Sequence, residues 1–387
     1  MAEIYKGPGN SSDYEHSLDM LNEVFFADDE EPRINFLKLL PKLYKAEYNH
    51  CENNLIVTED GKWKGAVGLY FDNVDCAGNK LICGGIGNVA VTKDCRGKGY
   101  MQDCMKMAMD LMIEKDADYS VLGGQRQRYE YFSFEPAGAK HYFTFSKLNL
   151  KHIFGNDYKP QLSATEVHAD DKENIAFIKK LYESKPDKFL RPDEKFYDYL
   201  KSWCHRPFVF KDNDSPVGYC VYDTEMNSVS EIKAISTEYF KKLLPDSFVL
   251  SKQTELNYEI PLFEKDYIQY LSDIAEGHSF SHSASLTVLN WKKFIKAHFD
   301  LKATYTDFCD GSMSFNIHGY KQDEQFTITI KDNKITFSDE VVNPMDLSHK
   351  EAIGLFFSLY SDKIYELKPN IAQWFPLHWY VHPSDKV

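Results

Sequence analysis

The chain has 387 residues, of which 43% are hydrophobic and 15% aromatic, so it can bury two or three domain cores and is neither disordered nor fibrous. Its 45 Lys and Arg residues against 59 Asp and Glu give a net charge of −14, which excludes a general field for binding nucleic acid. No apolar run approaches the roughly 18 residues of a membrane span, and the opening residues lack the order of a secretory signal, so we expect no membrane span and a cytoplasmic protein.

The predicted elements of residues 1–150 begin with two helices within residues 13–45, separated by the acidic run at 28–31. Strands are predicted at 54–58, 64–71 and 80–91, a helix at 101–112 and a strand at 119–122. The strand at 80–91, the turn after it, the helix and the next strand form one continuous unit.

A second region, residues 151–284, starts with a predicted helix at 174–184 and a strand pair at 208–210 and 217–222. A strand at 229–235 is followed by an apolar segment at 239–244 with no glycine-rich turn between them. A third region, residues 285–387, has predicted helices at 290–298 and 349–360, the second capped by Ser348, and strands at 312–317, 325–330 and 334–338.

The eight cysteines are irregularly spaced, and in a chain without a secretory signal this predicts free thiols. No Cys-x-x-Cys or His-Glu-x-x-His motif occurs. His278 and His282 would share one face of a helix, but the serine-rich sequence around them is more typical of a polar loop. We predict no metal site.

The segment with the clearest chemistry is the turn Arg96-Gly97-Lys98-Gly99 between the strand ending at Val91 and the helix that follows. Its glycines let the backbone approach a ligand closely, and the start of a helix presents unpaired N–H groups to an anion. Two cations add local positive charge. The turn therefore predicts a pyrophosphate site, the alternative being an ordinary basic turn. A P-loop and a dinucleotide-binding motif are both missing, which disfavours a nucleotide triphosphatase.

The turn resembles the acetyl-CoA signature of the GNAT N-acetyltransferases, Arg/Gln-x-x-Gly-x-Gly/Ala, with Met101 departing at the last position. Together with the chain length it is similar to the enhanced intracellular survival (Eis) branch. That resemblance implies an α+β fold: two tandem GNAT-like α/β domains with mixed sheets flanked by helices, at 1–150 and 151–284, and a sterol-carrier-protein-like α+β domain at 285–387. Only the first domain would bind the cofactor.

In a GNAT fold the strand ending at Val91 would separate from its neighbour, and the pantetheine arm of acetyl-CoA would pair with its backbone. The resemblance thus implies a set of residues that bind the cofactor: Val89, Ala90, Val91, Arg96, Gly97, Lys98, Gly99, Tyr100 and Met101. It also aligns Tyr129 with the family's proton donor, in a segment where Ser133 replaces the usual Gly. Tyr131 is a nearby competitor, and a core tyrosine is the alternative to both. A phenol with a pKa near 10 is protonated at neutral pH and can donate to a leaving thiolate.

The general base is less clear, because Asn88 stands where many GNAT enzymes carry Glu and an amide cannot accept the proton. In the Eis branch a C-terminal carboxylate is the base, which here implies Val387. This tail lacks the aromatic end of that branch, and chain ends fray by default, so deprotonation through water is an equal alternative.

The acidic run at 28–31 and the net charge suggest a small cationic or peptidic amine as acceptor, although such runs more often solvate a helix. The resemblance also implies a homo-oligomer. The predicted activity is N-acetyl transfer from acetyl-CoA to a primary amine. The alternative is a non-catalytic sensor that binds acyl-CoA, with a lipid or partner in an apolar groove of the third domain.

Overall fold

The computed structural model describes residues 2–26, 35–251 and 254–387. Their strands form three sheets, described here in spatial order. Sheet 1 contains β1 (Ile4–Pro8), β2 (Asn54–Glu59), β3 (Lys62–Cys76), β4 (Asn79–Val91), β5 (Tyr119–Leu122), β15 (Ala284–Val288) and β6 (Glu135–Ala137), with β9 (Asp187–Phe189) paired to β3. Sheet 2 contains β14 (Gly277–Ser281), β7 (Lys140–Ser146), β13 (Glu255–Pro261), β12 (Ser228–Ala234), β11 (Ser215–Asp223), β10 (His205–Asp212) and β8 (Ser163–Glu166). Sheet 3 contains β18 (Lys334–Ser338), β17 (Asp323–Lys331), β16 (Gly311–His318) and β19 (Met345–Ser348).

The helices of the described residues flank these sheets. They are α1 (Tyr14–Phe26), α2 (Phe36–Leu39), α3 (Pro41–Tyr44), α4 (Tyr100–Glu114), α5 (Arg126–Tyr129), α6 (Lys147–Phe154), α7 (Lys172–Glu183), α8 (Phe196–Lys201), α9 (Thr237–Ser247), α10 (Lys265–Ile274), α11 (Trp291–Ala303), α12 (His349–Phe357) and α13 (Pro369–Ala372). None of the helices in the described ranges is long and apolar enough to cross a membrane.

Sheet 1 is covered on both faces, as the alternation of side chains along a strand requires. Leu55 and Val57 of β2 pack with the methionines of α4, whereas Ile56 between them packs with α1, α2 and α3. The face of α4 that packs on the sheet buries Cys104, Met105, Ala108, Met109 and Met112. The helix is thereby fixed across the sheet, with its first turn at the end of β4.

Sheet membership does not follow the three sequence regions strand by strand. Residues 140–146, from the first region, form β7 in sheet 2, and residues 284–288 form β15 between β5 and β6 in sheet 1. A single apolar cluster joins sheet 1 to α11, α12 and sheet 3. The molecule is therefore a mixed α+β fold whose sheets exchange strands.

Most predicted elements are present, with shifted ends. The second predicted helix of residues 13–45 is wrong as one element, because it breaks at Leu40 (φ −132°, ψ 63°) before Pro41, whose ring cannot continue a helix. The segment with His278 is a strand rather than a loop or helix, and His278 Nε2 lies 2.7 Å from His141 Nδ1. All eight cysteines are free thiols, as predicted.

Candidate active site

β4 and β5 lie side by side only at their beginnings. Their parallel pairing runs from Cys83 and Tyr119 to Ile86 and Leu122, whereas β4 continues to Val91. After Leu122 the chain leaves the sheet at Gly123. The predicted separation of this strand from its neighbour is confirmed, and it leaves the edge of β4 beyond Ile86 without a strand beside it.

β4 also carries a bulge at this point. Ala90 pairs with Ala66 and Gly87 with Gly68, so Asn88 and Val89 stand opposite the single residue between those partners in β3. Asn88 has a left-handed backbone (φ 38°). A bulge re-aims the side chains that follow it. Here the bulge lies at the beginning of the segment Val89–Val91, whose residues line the cleft described below.

The Asn88 side chain is held by its neighbours. Its Nδ2 donates to Asn54 Oδ1 at 2.7 Å, and its Oδ1 accepts from the Tyr44 hydroxyl at 2.8 Å. Because these bonds occupy both ends of the amide, Asn88 shapes the bulge and is not placed to move a proton.

The glycine turn leads directly into α4. Gly97 (φ 84°) and Gly99 (φ 85°) both have left-handed backbones that favour glycine, and a Cβ at either would meet no atom within 4 Å. No side chain caps α4, and its first backbone bond to the preceding chain is Asp103 N–H to Gly99 O, at 3.0 Å. The N–H groups of the first turn are therefore available to an anion.

A cleft of about 550 Å³ opens in front of this turn. It is lined by Val24, Val89, Ala90, Val91, Cys95, Arg96, Gly97, Gly99, Tyr100, Met101, Gln102 and Arg128. Eight of the nine residues assigned to the cofactor from the sequence line this one space. Its glycines, its arginine side chains and the unpaired N–H groups at the start of α4 have the chemistry that an anion such as a diphosphate requires.

Lys98 is the remaining residue of that set. Its Nζ donates to Glu59 Oε1 at 2.6 Å, and Tyr100 donates its hydroxyl to the same oxygen at 2.5 Å. The backbone N–H of Lys98 donates to Cys95 O at 3.3 Å. The Lys98 side chain thus fastens the turn to β2, while Arg96 and Arg128 are the cations among the residues that line the cleft.

Tyr129 lies where the gap beside β4 meets a second cavity of about 420 Å³. Its ring is 7% exposed and packs over Gly124, and its hydroxyl has no hydrogen-bond partner among the described residues. Burial raises the pKa of the phenol, and the Arg128 guanidinium opposes that shift. Tyr131 is 69% exposed and lines neither cavity.

Val387, the last residue of the sequence, lines the same second cavity as Tyr129. A methyl group on Gly87 would lie 3.0 Å from the Val387 carboxyl carbon, and one on Gly85 would lie 2.9 Å from its Cγ2. These two glycines of β4 therefore make room for the end of the chain. Among the described residues, no basic side chain forms an ion pair with the Val387 carboxylate.

The tail that leads to Val387 is anchored, which contradicts the default expectation of a frayed end. Asp385 is 2% exposed, and the Arg191 guanidinium binds it at 2.6 Å and Glu231 at 2.8 Å. Lys42 Nζ donates to the carbonyl oxygens of Ser384 and Lys386, each at 2.7 Å. Buried charges need such partners.

The rest of the second cavity is largely apolar, with walls from α1, α2, the loop after β5 and Trp203. Phe25, Phe26 and Phe36 form an aromatic cluster at its rim, with ring centroids 5.2 to 6.5 Å apart. The acidic run at 28–31 lies outside the described residues. In the described ranges, no group of three or more His, Cys, Asp or Glu residues could hold a metal ion.

The third region carries a hollow that is polar, unlike the largely apolar second cavity. A hollow of about 430 Å³ on sheet 3 is lined mainly by Ser, Thr and acidic or amide side chains, such as Ser314, Thr327 and Glu340. The apolar residues of β16 and β17, including Phe315 and Phe326, are instead packed in the core.

Residues 8–137 match the acetyltransferase (GNAT) domain family. In structure the chain is similar to a GCN5-related N-acetyltransferase from Anabaena variabilis, with a TM-score of 0.68, 14% identity and 100% of both chains covered. A GCN5-related N-acetyltransferase from Kribbella flavida gives a TM-score of 0.63, with 15% identity over 91% of this chain and 89% of that one. Eis1 from Mycobacterium abscessus gives 0.58, with 11% identity over 93% and 89%. No curated protein sequence matches the chain.

Residues 8–137 therefore form a GNAT acetyltransferase domain, and the chain as a whole has a mixed α+β fold similar to those of the two GCN5-related N-acetyltransferases. The resemblance implied Val387 as the base, whereas the sequence of the tail itself predicted a frayed end. A local signal for the anchored tail lies in β4, in the run Gly84-Gly85-Ile86-Gly87, because several glycines inside a strand often mark a close approach of other backbone.

Proposed function

We propose that the protein transfers an acetyl group from acetyl-CoA to a primary amine of a small cationic or peptidic acceptor. The observation that carries this proposal is the uncapped, glycine-bearing start of α4, which opens onto the gap between β4 and β5. Acetyl-CoA supplies the acetyl group as a reactive thioester. The chain's own residues must bind it, position the amine and handle two protons.

Binding is assigned to the first cleft. The N–H groups at the start of α4 and the Arg96 guanidinium face the position of the diphosphate. The free edge of β4 at Val89, Ala90 and Val91 offers backbone groups to the pantetheine amides, as an added strand would be bound. The thioester end then lies where the two cavities meet.

Tyr129 is the proposed proton donor to the leaving thiolate. Tyr129 lines the second cavity, and its neighbour Arg128 lines both cavities, which supports a place for its hydroxyl near the thioester. The raised pKa keeps the phenol protonated throughout the neutral range.

The Val387 carboxylate is the proposed general base in a chain that ends at this residue. An alkylammonium acceptor must lose a proton with a pKa of about 10.4 before it attacks. The carboxyl group lies against Gly87, next to the bulge, and has no cation partner among the described residues that would compete for its charge. The alternative is proton loss through water.

The finer family assignment is also proposed. Membership of the Eis branch would give a cofactor-free second GNAT-like domain at 151–284 and a sterol-carrier-protein-like domain at 285–387. A continuous resemblance to Eis1 over 93% of the chain supports it at the level of fold.

The activity is tested by free-thiol release when the protein is mixed with acetyl-CoA and a panel of polyamines, aminoglycosides and peptides. We expect turnover with at least one amine. Tight acyl-CoA binding without turnover on any of them would instead support the sensor hypothesis, which the amide at Asn88 favours.

The base is tested separately by converting the terminal carboxylate to an amide by semisynthesis. We expect kcat for an alkylamine to fall by about 10² to 10⁴, the range for a lost general base, with the KM for acetyl-CoA unchanged. An unchanged kcat would assign the proton to water.

A further inference from the structure

One of the side chains that hold the end of the chain is Lys42 in α3, which lies about 340 residues earlier in the sequence. Its side chain is 1% exposed, and its ammonium donates to two carbonyls of the last four residues. Trp203 Nε1 donates to one of them, Lys386 O, at 3.2 Å. The Lys42 ammonium also lies 4.6 Å from the centroid of the Tyr199 ring.

This arrangement is unusual in its chemistry. A buried lysine normally pairs with a carboxylate, because burying an isolated charge is costly. Within the described residues Lys42 forms no ion pair, and its hydrogen bonds go to main-chain carbonyls. Such bonds fix the direction of the peptide and hence of the single residue beyond it, Val387.

α3 also reaches the other side of the cavity. Tyr44, two residues after Lys42, donates to Asn88 Oδ1 in the bulge of β4. Four residues of helix therefore connect the end of the tail with the strand against which the Val387 carboxyl group lies. A shift of α3 would move both.

We propose that Lys42 is a positioning residue for acyl transfer, which sets the place of the terminal carboxylate by holding the carbonyls of Ser384 and Lys386. The proposal rests on the assignment of that carboxylate as the base. A general base must lie within hydrogen-bond reach of the proton it removes, and a displacement of about 1 Å can cost on the order of 10² in rate. Lys42 thus acts through Val387 without contacting either substrate.

Lys302 provides a matched control. It is 7% exposed, and its Nζ donates to the carbonyl oxygens of Trp374 at 2.9 Å and Pro376 at 3.1 Å, so it pins the same tail by the same chemistry. It lines neither cavity. The variants Lys42→Met and Lys302→Met each remove one buried amino group and leave an unbranched side chain that is one atom shorter.

Two acceptors separate positioning of the base from general damage. The first is the best alkylamine of the acceptor panel, which must lose a proton. The second is an acyl hydrazide, whose attacking nitrogen is unprotonated at neutral pH and so needs no base beforehand. Rates are measured as thiol release at saturating acetyl-CoA.

We expect Lys42→Met to lower kcat about tenfold or more with the alkylamine and less than threefold with the hydrazide, with the KM for acetyl-CoA within twofold of wild type. Lys302→Met should stay within about twofold for both acceptors. Equal losses with both acceptors, or no loss with the alkylamine, would overturn the proposal.

Trp203→Phe keeps the test decisive if Lys42→Met does not fold. It removes a single donor to Lys386 O and should reduce the alkylamine rate more than the hydrazide rate, by a smaller factor than Lys42→Met. Wild type and the amidated protein provide the references. No turnover by wild type means that the proposed function has failed, whereas an active amidated protein assigns the proton to water and overturns the role of Lys42 with that of Val387. A normal Lys42→Met enzyme beside an inactive amidated one refutes only the role of Lys42.

Discussion

Two regions of the molecule share one order of elements but differ at the start of a helix. In the first, eight residues, 92–99, join β4 to α4, and no side chain caps the helix. In the second, only Ile235 and Ser236 join β12 to α9, and the Ser236 hydroxyl accepts from Tyr239 N–H at 3.3 Å. The start of α9 is capped by the chain itself, whereas the start of α4 has no side-chain cap.

The cavities beside the two helices also differ, in volume. Beside β12 and β13 a cavity of only about 10 Å³ remains, and Lys185, Glu231 and the tail residue His382 are among the side chains that line it. This is about the least volume that holds one water. The corresponding cleft beside β4 measures about 550 Å³. The same order of strands and helix occurs in both regions, so it does not by itself create the proposed cofactor site. That site also needs an uncapped helix start and an open cleft beside it.

The largest expected effect concerns the chemistry that only the first region carries. Tyr129→Phe removes the one hydroxyl proposed to protonate the leaving thiolate, so kcat should fall by about 10² to 10⁴ while acetyl-CoA affinity is retained. Steady-state kinetics and a binding titration measure the two quantities. Tyr131→Phe is the control and should match wild type, and a normal kcat in Tyr129→Phe would remove this residue from the mechanism.

The second-largest effect is expected when a carboxylate is placed at the uncapped start of α4. Gly99→Asp adds a carboxylate and a backbone strain at a position with φ 85°, so the affinity for coenzyme A should weaken about tenfold or more. Isothermal titration measures it. The matched variant Ser236→Asp places the same charge at the start of α9, where Asp also caps a helix, and should leave the affinity unchanged. Equal losses of affinity in both variants would show that the start of α4 is no more important for binding coenzyme A than the start of α9.

A smaller effect is expected when the cap of the second region is removed. Ser236→Ala takes away the acceptor for Tyr239 N–H, which should destabilise the start of α9 by about 1 kcal/mol. Native-state hydrogen exchange of the α9 amides reports this local free energy of opening. Kinetics of acetyl transfer should not change, and a higher KM for acetyl-CoA would show that the second region takes part in binding.

The smallest effect is in the pH profile. A general acid must be protonated, and burial raises the pKa of Tyr129 above its ordinary value near 10, so the active form persists as the pH rises. We expect kcat to show no alkaline fall up to about pH 9.5. A fall between pH 8 and 9.5 in wild type that is lost in Tyr129→Phe would mean that this pKa is lowered instead.

Local patterns explain why much of the first region could be predicted from the sequence. The period of apolar residues indicated β2, β3, β4 and α4, and the glycine turn between β4 and α4 has a direct physical meaning. The separation of β4 from β5 followed from the resemblance and is confirmed.

Long-range packing explains what could not be predicted. The exchange of β7 and β15 between sheets joins residues more than a hundred positions apart. The tail ending at Val387 has polar residues typical of a frayed end, and side chains from distant parts of the chain fix it, among them Lys42, Arg191 and Trp203. No local pattern in the sequence contains those contacts.

Binding of acetyl-CoA at the start of α4 is tested most directly by a crystal structure of the protein grown with that cofactor. We expect the diphosphate within hydrogen-bond distance of the N–H groups at the start of α4 and the pantetheine arm along Val89–Val91. The small cavity beside β12 and β13 should contain no cofactor. A diphosphate bound elsewhere, with the start of α4 capped by the protein itself, would contradict this prediction.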